Sequence, residues 1–239
     1  MSVLGDPALQ ALVDRLQAES AAQDGELGAY FGRRARAGDL NWDRLDEDAN
    51  RFLADKAVAL EPIKAEFCHL VCCALRARRV VEVGTSFGVS TLYLAAAVRA
   101  NLGPGERGQV IGTEYEPGKA AKARANFAAA GLADIIDLRE GDLRQTLKRI
   151  EGPVDFVLMD IWTEMVRPAL ELVAPQLRPG AVVICDNTGQ FRESYRDFFA
   201  FVQDPKNRMR TLTLPFQGGL EFCASEARSS PHGWLRPAP

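Results

Sequence analysis

The chain has 239 residues, of which 47% are hydrophobic and 26% are charged, and its formal net charge is −3. This composition suffices for a domain with a full hydrophobic core, and the mixed charge argues against a dedicated nucleic-acid-binding protein. No apolar run approaches the roughly 18 to 20 residues that cross a membrane, and the first residues lack the apolar core of a signal peptide. Since the five cysteines suit reduced thiols, we expect a cytoplasmic protein without nucleic-acid or membrane partners.

The first part of the chain, residues 1–55, predicts a polar helical extension that caps an acceptor site or contacts a second copy of the chain. Asp6 precedes a proline, which is typical of a helix start, and leucine and valine then recur at helical spacing. A second helical segment is predicted over 28–37. Trp42 and Phe52 are candidates for packing or for contact with substrate, and the sequence does not separate the two roles.

A clearer helix is predicted over 61–77, where a proline suits the first turn and apolar residues form one face. This segment contains Cys68, His69, Cys72 and Cys73, which are residue types that can bind a metal. Their spacing matches no usual zinc pattern, and we therefore interpret these side chains as packing residues.

From residue 79 onward, apolar strand-like runs alternate with helical segments. Strands are predicted over 79–84, 109–114, 134–139, 154–160 and 181–186, and helices over about 89–100, 117–131, 142–150, 163–176 and 190–203. Such alternation predicts an α/β fold with a doubly wound, mostly parallel sheet and helices on both faces. Two final runs, 211–214 and 219–223, predict an antiparallel C-terminal hairpin and bring the sheet to seven strands. The main domain is predicted over 56–226, and a flexible tail over 227–239.

The stretch 80–95 predicts a buried strand, a glycine-bounded turn and a helix. Gly84 and Gly88 bracket the turn, where a side chain would block a ligand or require an unfavourable φ angle. The N-terminus of the following helix offers free N–H groups and a partial positive charge, which favour a carboxylate or a phosphate. The turn therefore predicts an anion-binding site.

Acidic residues follow the predicted strands, at the edge where ligands bind in an open α/β sheet. These residues are Glu82, Glu114, Asp142, Asp160 and Asp186, the last followed by Asn187. Glu114 is the expected acceptor for a ribose hydroxyl, although it lies 30 residues beyond Gly84 rather than about 20 as in dinucleotide-binding folds. The turn also lacks the G-x-G-x-x-G spacing, so nothing favours a pyrophosphate ligand.

Residues 82–91, with the sequence EVGTSFGVST, resemble the first motif of S-adenosylmethionine-dependent O-methyltransferases, most closely the catechol and caffeoyl-CoA O-methyltransferases. The resemblance covers about 55–225 and implies a class I methyltransferase, Rossmann-like fold. The glycine turn would wrap the methionine part of the cofactor, with Glu82 near its ammonium and Ser90 near its carboxylate. Asp142 and Trp162 would lie on the adenine side. The cofactor-binding residues implied by this resemblance are Glu82, Gly84, Ser86, Gly88, Ser90, Glu114, Tyr115, Asp142, Leu143, Asp160 and Trp162.

Asp160, Asp186 and Asn187 match the divalent-metal ligands of the same family. Two carboxylates and an amide oxygen are hard ligands that suit Mg²⁺, and such a metal lowers the pKa of a bound substrate hydroxyl. The resemblance thus implies Asp160 as a catalytic residue, a small catechol-like acceptor and a homodimer. Thr163 stands where the family usually has a lysine base, and threonine is not a useful base at neutral pH. Either the metal suffices, another group acts as the base, or the chemistry is altered.

Three other interpretations stay open on the sequence alone. The substitution of Thr163 for lysine allows a non-catalytic module that binds S-adenosylmethionine. The glycine turn also fits the G-x-S-x-G elbow of a serine α/β-hydrolase, with Ser86 as nucleophile and Asp186 and His232 in triad order. The helical residues before the turn argue against that hydrolase, as does the lack of a glycine-rich oxyanion loop. Finally, Asp186 and Asn187 would simply cap the following helix if no metal binds.

Overall fold

The computed structural model of the chain describes residues 2–227. The predicted tail over 227–239 lies outside the described residues apart from residue 227, and so does His232. Within residues 2–227, no helix is both long enough and apolar enough to cross a membrane.

The first helix, α1 (Pro7–Ala21), begins as the sequence predicts. The Asp6 carboxylate accepts hydrogen bonds from the N–H groups of Ala8 and Leu9, at 2.8 and 3.3 Å, and so satisfies two donors that a helix start leaves free. The buried face of α1 belongs to the same hydrophobic core as the central sheet. This first helix of the predicted extension is therefore part of the main core.

The next two helices are α2 (Asp24–Ala37) and α3 (Glu47–Leu53). The second begins four residues before the predicted segment over 28–37, and the third, with seven residues, was not predicted as a separate element. Asp46 caps α3 by accepting from the Ala49 N–H at 2.9 Å, and it also forms an ion pair with Arg34 of α2. This shared aspartate joins the two helices.

A seven-stranded sheet forms the centre of the molecule. Its strands are β1 (Arg79–Val83), β2 (Gln109–Glu114), β3 (Ile136–Glu140), β4 (Val154–Met159), β5 (Leu177–Asp186), β6 (Met209–Leu214) and β7 (Leu220–Ser225). Their order is β3-β2-β1-β4-β5-β7-β6; the first five are parallel, and β7 runs antiparallel to both β5 and β6. The predicted doubly wound sheet with a C-terminal antiparallel hairpin is confirmed.

Both faces of the sheet are covered, which explains the continuous apolar runs in its central strands. Successive strand residues point to opposite faces, so Val80 and Phe156 lie in one core and Val81 and Val157 in the other. The flanking helices are α4 (Pro62–Ala74), α5 (Val89–Asn101), α6 (Pro117–Ala129), α7 (Leu143–Thr146), α8 (Thr163–Val173) and α9 (Arg196–Gln203). The carboxyl ends of the parallel strands consequently meet at one edge.

Two predicted helices are wrong in extent because their backbone groups find partners elsewhere. The helix predicted over 142–150 ends at Thr146. There the Arg139 guanidinium donates hydrogen bonds to the carbonyl oxygens of Thr146 and Arg149, at 2.8 and 2.7 Å. The helix predicted over 190–203 begins only at Arg196. The N–H groups before it, at residues 189 and 190, donate instead to the Gly218 carbonyl of the hairpin at 2.9 and 2.8 Å.

Candidate active site

The glycine turn between β1 and α5 is shaped by close contacts with its neighbours. Gly84 has a φ of 97° and Gly88 a φ of 86°, in the left-handed region that favours glycine. A Cβ atom on Gly84 would lie 2.0 Å from the Asp160 carbonyl oxygen, and one on Gly88 would lie 2.3 Å from the Phe127 ring. Both glycines are thus required by the backbone conformation and by protein packing, independently of any ligand.

The N-terminus of α5 is open to a ligand. Gly88 is its N-cap, and no side chain caps the N–H groups of the first turn. A small cavity lies against the turn and is lined by Ala57, Val58, Ala59, Gly84, Thr85, Ser86, Phe87, Val89, Ser90 and Asp160. The stretch 57–59 before α4 therefore covers the turn that the sequence identified, and it brings Asp160 and the start of α5 to one cavity.

Glu82 is a fully buried carboxylate beneath this turn. One oxygen, Oε2, accepts hydrogen bonds from the hydroxyls of Thr85, at 2.9 Å, and of Thr91. The other oxygen, Oε1, has no hydrogen-bond partner among the described residues. Burial raises the pKa of Glu82 to about 7, although hydrogen bonds from Ser90, Thr91 and Thr85 oppose the rise. The free oxygen of Glu82 can accept a bond from a cationic donor.

Glu114 ends β2 and is held by the backbone. Its Oε2 accepts from the Ser86 N–H at 2.7 Å and its Oε1 from the Glu116 N–H at 2.9 Å. Burial raises the pKa of Glu114, and these backbone donors oppose the rise. Because each carboxylate oxygen has a second lone pair, Glu114 can still accept from a diol.

The residues predicted on the adenine side lie in different surroundings. Tyr115 is 70% exposed, whereas Leu143 is buried. Asp142 caps α7 through the Arg144 N–H at 2.9 Å and pairs with the Arg144 guanidinium at 2.7 Å. The Asp142 carboxylate is therefore already engaged by α7, and any contact with an adenine would compete with or add to these bonds.

Asp160 and Asp186 end the neighbouring strands β4 and β5. Among residues 2–227 the Asp160 carboxylate forms no hydrogen bond; burial and the charge of Asp186 raise its pKa well above the ordinary value. Asn187 has a φ of 58°, and its side-chain N–H donates a hydrogen bond to Asp186 Oδ2 at 3.0 Å. Within the described chain no group of three His, Cys, Asp or Glu side chains could hold a metal ion. The predicted ligand set differs from such a group, because it has only two carboxylates and takes its third ligand from the Asn187 amide.

Lys64 is a site residue that the sequence analysis missed. It is completely buried in α4, and its Nζ lies 2.6 Å from Asp186 Oδ1 and 2.8 Å from Glu61 Oε2. Burial opposes its charge, but the hydrogen bonds to Asp186 and Glu61 raise the pKa of the ammonium. The sequence signal for the burial of Lys64 is its spacing. Lys64 lies four and eight residues before Cys68 and Cys72, so the three side chains share one buried face of α4.

Thr163 begins α8 and joins the site to the N-terminal region. Its hydroxyl donates to the Trp42 carbonyl oxygen at 2.5 Å. Around this contact lies a group of aromatic residues, which we call the aromatic cap: Tyr30, Phe31, Trp42, Phe52, Trp162 and Phe191. The Tyr30 and Phe52 rings stack with centroids 3.8 Å apart, and Trp42 and Phe191 are 4.7 Å apart. Trp162 packs with the same cluster. Both aromatic candidates from the sequence, Trp42 and Phe52, take part in packing.

Comparison with known proteins finds similarity to methyltransferases. Residues 81–188 match the model of a family described as a methyltransferase domain. A catechol O-methyltransferase of Mycobacterium tuberculosis is 35% identical over 131 residues, which are 54% of this chain and 57% of that protein. A catechol O-methyltransferase of Niastella koreensis is 32% identical over 139 residues, 55% of this chain and 58% of that protein. Over about half of its length, the chain is thus similar to methyltransferases, among them two named catechol O-methyltransferases.

A solved structure shares the fold of this chain. An O-methyltransferase from Bacillus cereus in complex with SAH superposes with a TM-score of 0.63 at 23% identity, covering 75% of this chain and 88% of that one. The chain spans 57% and 58% of the length of the two curated relatives. The similarity to methyltransferases argues against the serine-hydrolase interpretation of Ser86. The Ser86 N–H is bonded to Glu114, and the predicted partner His232 lies outside the described residues.

Proposed function

We propose that this protein transfers a methyl group from S-adenosylmethionine to a hydroxyl of a small acceptor molecule. The main support is the free Oε1 of Glu82, a buried carboxylate oxygen without a partner among the described residues, beneath the glycine turn. A buried acceptor of this kind is costly unless a donor completes it. The ammonium of S-adenosylmethionine is a donor of the required charge.

The other parts of the cofactor have matching groups nearby. The cofactor carboxylate suits the uncapped N-terminus of α5, beside Ser90. A ribose diol suits Glu114, which its backbone donors hold in place. Tyr115 and Trp162 remain proposed contacts of the adenine. The Asp142–Arg144 pair would border that end of the cofactor, together with Leu143.

The reaction itself needs alignment more than covalent help from the protein. The acceptor oxygen forms a bond to the methyl carbon as the carbon–sulfur bond breaks, the sulfur leaves as a neutral thioether, and the hydroxyl proton passes to solvent water. Asp160 lines the cavity beside the turn, so we propose that it positions the acceptor opposite the methyl group. The Thr163 hydroxyl donates a hydrogen bond to the Trp42 carbonyl oxygen and does not serve as the base.

The donor chemistry at this edge also fits a divalent metal. The Asp160 carboxylate is without a hydrogen bond in the described chain and lies next to a second carboxylate, an arrangement that a cation would stabilise. Asp160, Asp186 and Asn187 would hold the metal, and it would lower the pKa of a bound acceptor hydroxyl. Asn187 would turn its amide oxygen, now near Gly218, toward the metal.

A catechol-like acceptor is our proposal for the substrate class. Two curated relatives are named catechol O-methyltransferases, and a vicinal oxygen pair would suit a metal at Asp160. The aromatic cap offers apolar walls on the same side of the sheet. A homodimer is also proposed, because Ile63 and Leu70 of α4 are 60% and 53% exposed; light scattering after size-exclusion chromatography tests it. The cytoplasmic location stays a prediction.

Calorimetry and a transfer assay test the proposed function together. S-adenosylmethionine should bind the wild-type protein, and Glu82→Gln should weaken that binding at least about tenfold because it removes a buried charge-assisted bond. A labelled methyl group should then appear on a catechol. Binding without transfer to any hydroxyl acceptor would favour the non-catalytic module instead, and failure to bind the cofactor would refute the proposal.

A further inference from the structure

The buried Lys64 ammonium is unusual because it contacts one of the proposed metal ligands directly. Lysine is almost never fully buried unless it is paired, and here both of its partners are carboxylates. The ion pair to Asp186 is itself buried, since the two side chains are 1% and 5% exposed. Such an arrangement is stable only when the charges compensate one another in place.

The ammonium and a metal ion would compete for the same negative charge. Asp186 Oδ1 is 2.6 Å from Lys64 Nζ, and its Oδ2 accepts the Asn187 amide at 3.0 Å. Both oxygens of Asp186 are therefore engaged within the protein. A divalent cation at Asp186 would displace one of these donors and would also lie close to a fixed positive charge.

We propose that Lys64 competes with divalent cations for Asp186, so that it weakens metal binding at this edge and supplies positive charge there when no metal is bound. This inference rests on the proposed ligation by Asp160, Asp186 and Asn187. Lys64 acts on the metal through Asp186 and is a positioning residue. Glu61, which is 42% exposed at its side chain, holds the ammonium from the other side.

The test measures metal affinity alone, without cofactor or acceptor. Free Mn²⁺ is counted by electron paramagnetic resonance as it is titrated into the wild-type protein, Lys64→Met and Lys64→Gln. We expect both variants to bind Mn²⁺ at least about tenfold more tightly, because each removes a buried positive charge beside the ligand. Lys64→Arg keeps the charge and should bind as weakly as the wild-type protein. Adding Asp186→Asn to Lys64→Met should abolish the gain.

Lys206→Met is the matched control for net charge. Lys206 is 75% exposed and pairs with Asp204, away from the sheet edge, so its loss should leave Mn²⁺ affinity unchanged. Circular dichroism checks that each variant folds. Lys64→Gln keeps a hydrogen-bond donor, so it carries the test if Lys64→Met does not fold. The proposal is overturned if neither folded variant binds Mn²⁺ more tightly than the wild-type protein, or if Lys206→Met gives the same gain. Cofactor binding, measured separately by calorimetry, shows whether the proposed function itself has failed.

Discussion

Replacing Glu82 by glutamine should make the cofactor-free protein more stable at neutral pH while it weakens cofactor binding. Glu82 is fully buried, and among the described residues one of its oxygens has no partner. Glutamine has nearly the same shape and keeps an oxygen that can accept from the hydroxyls of Thr85 and Thr91. The substitution therefore removes the buried charge with little change in packing.

The magnitude follows from the pKa of Glu82, which burial raises from 4.5 to about 7. A raised pKa means that the folded protein binds the proton more tightly than the unfolded chain does. The stabilisation from this proton is fully present below pH 4.5 and is lost as the pH rises through 7. At about 1.4 kcal/mol per pH unit, the free energy of unfolding falls by about 3 kcal/mol over this range.

Urea unfolding from pH 4.5 to 8 measures the effect. The free energy of unfolding of Glu82→Gln relative to the wild-type protein should rise by about 3 kcal/mol over this range. Asp155→Asn is the contrast: burial opposes its charge, but hydrogen bonds from Arg178 and two backbone N–H groups lower the pKa of Asp155 below its ordinary value. The stability lost in this variant is therefore already fully lost at pH 4.5 and should stay nearly constant up to pH 8. Parallel curves for Glu82→Gln and the wild-type protein would refute the reasoning.

Four further outcomes are expected. Gly84→Ala should lose at least about 3 kcal/mol of stability, because its Cβ would lie 2.0 Å from a carbonyl oxygen at a φ of 97°. Gly118→Ala is the control and should keep its stability, because the space around Gly118 is open. Denaturant unfolding compares the two variants. Thr163→Val should lose about 1 kcal/mol with its bond to Trp42, whereas Thr163→Ser should not. Glu114→Gln should weaken S-adenosylmethionine binding about tenfold in calorimetry. A catechol should accept a labelled methyl group and a benzyl alcohol should not, which the transfer assay decides by mass spectrometry.

The sheet could be predicted from the sequence because its strands are apolar on both faces and are separated by turn residues. The strand predicted over 109–114 matches β2 (Gln109–Glu114), and the final hairpin is present as β6 and β7. The Asp6 cap of α1 depends only on local hydrogen bonds. Local rules were sufficient where the backbone partners lie nearby in sequence.

Prediction failed where backbone groups bond across the fold. The helix predicted over 190–203 begins late because residues 189 and 190 bond to Gly218, about 30 residues further along the chain. The helix predicted over 142–150 is short because Arg139 of β3 donates hydrogen bonds to carbonyl oxygens of this segment. Neither contact has a signature in the local sequence pattern.

At the candidate site, the sequence predicted the acids and missed the cation. Strand ends identify Glu82, Glu114, Asp160 and Asp186, because apolar runs precede each acid. Lys64 looks like a surface lysine of a helix unless its spacing to two buried cysteines is considered. The pairing of Lys64 with Asp186 then joins positions 122 residues apart, and only the fold shows it.

The threonine at position 163, where the family that the sequence resembles usually has a lysine, bears on which hydroxyls the proposed reaction could use. Thr163 is bonded to Trp42, and the Lys64 ammonium is held by two carboxylates, so neither is free to take a proton from an acceptor. A hydroxyl that ionises readily needs such a base least. A phenol ionises with a pKa of about 10, whereas water, and alcohols like it, ionise near 16. The difference of about six pKa units corresponds to about 8 kcal/mol of ionisation free energy. A cation at Asp160 would therefore have to supply far less stabilisation for a phenol than for an alcohol. The same substitution that weakens the case for catalysis therefore narrows the proposed acceptors to acidic, catechol-like hydroxyls.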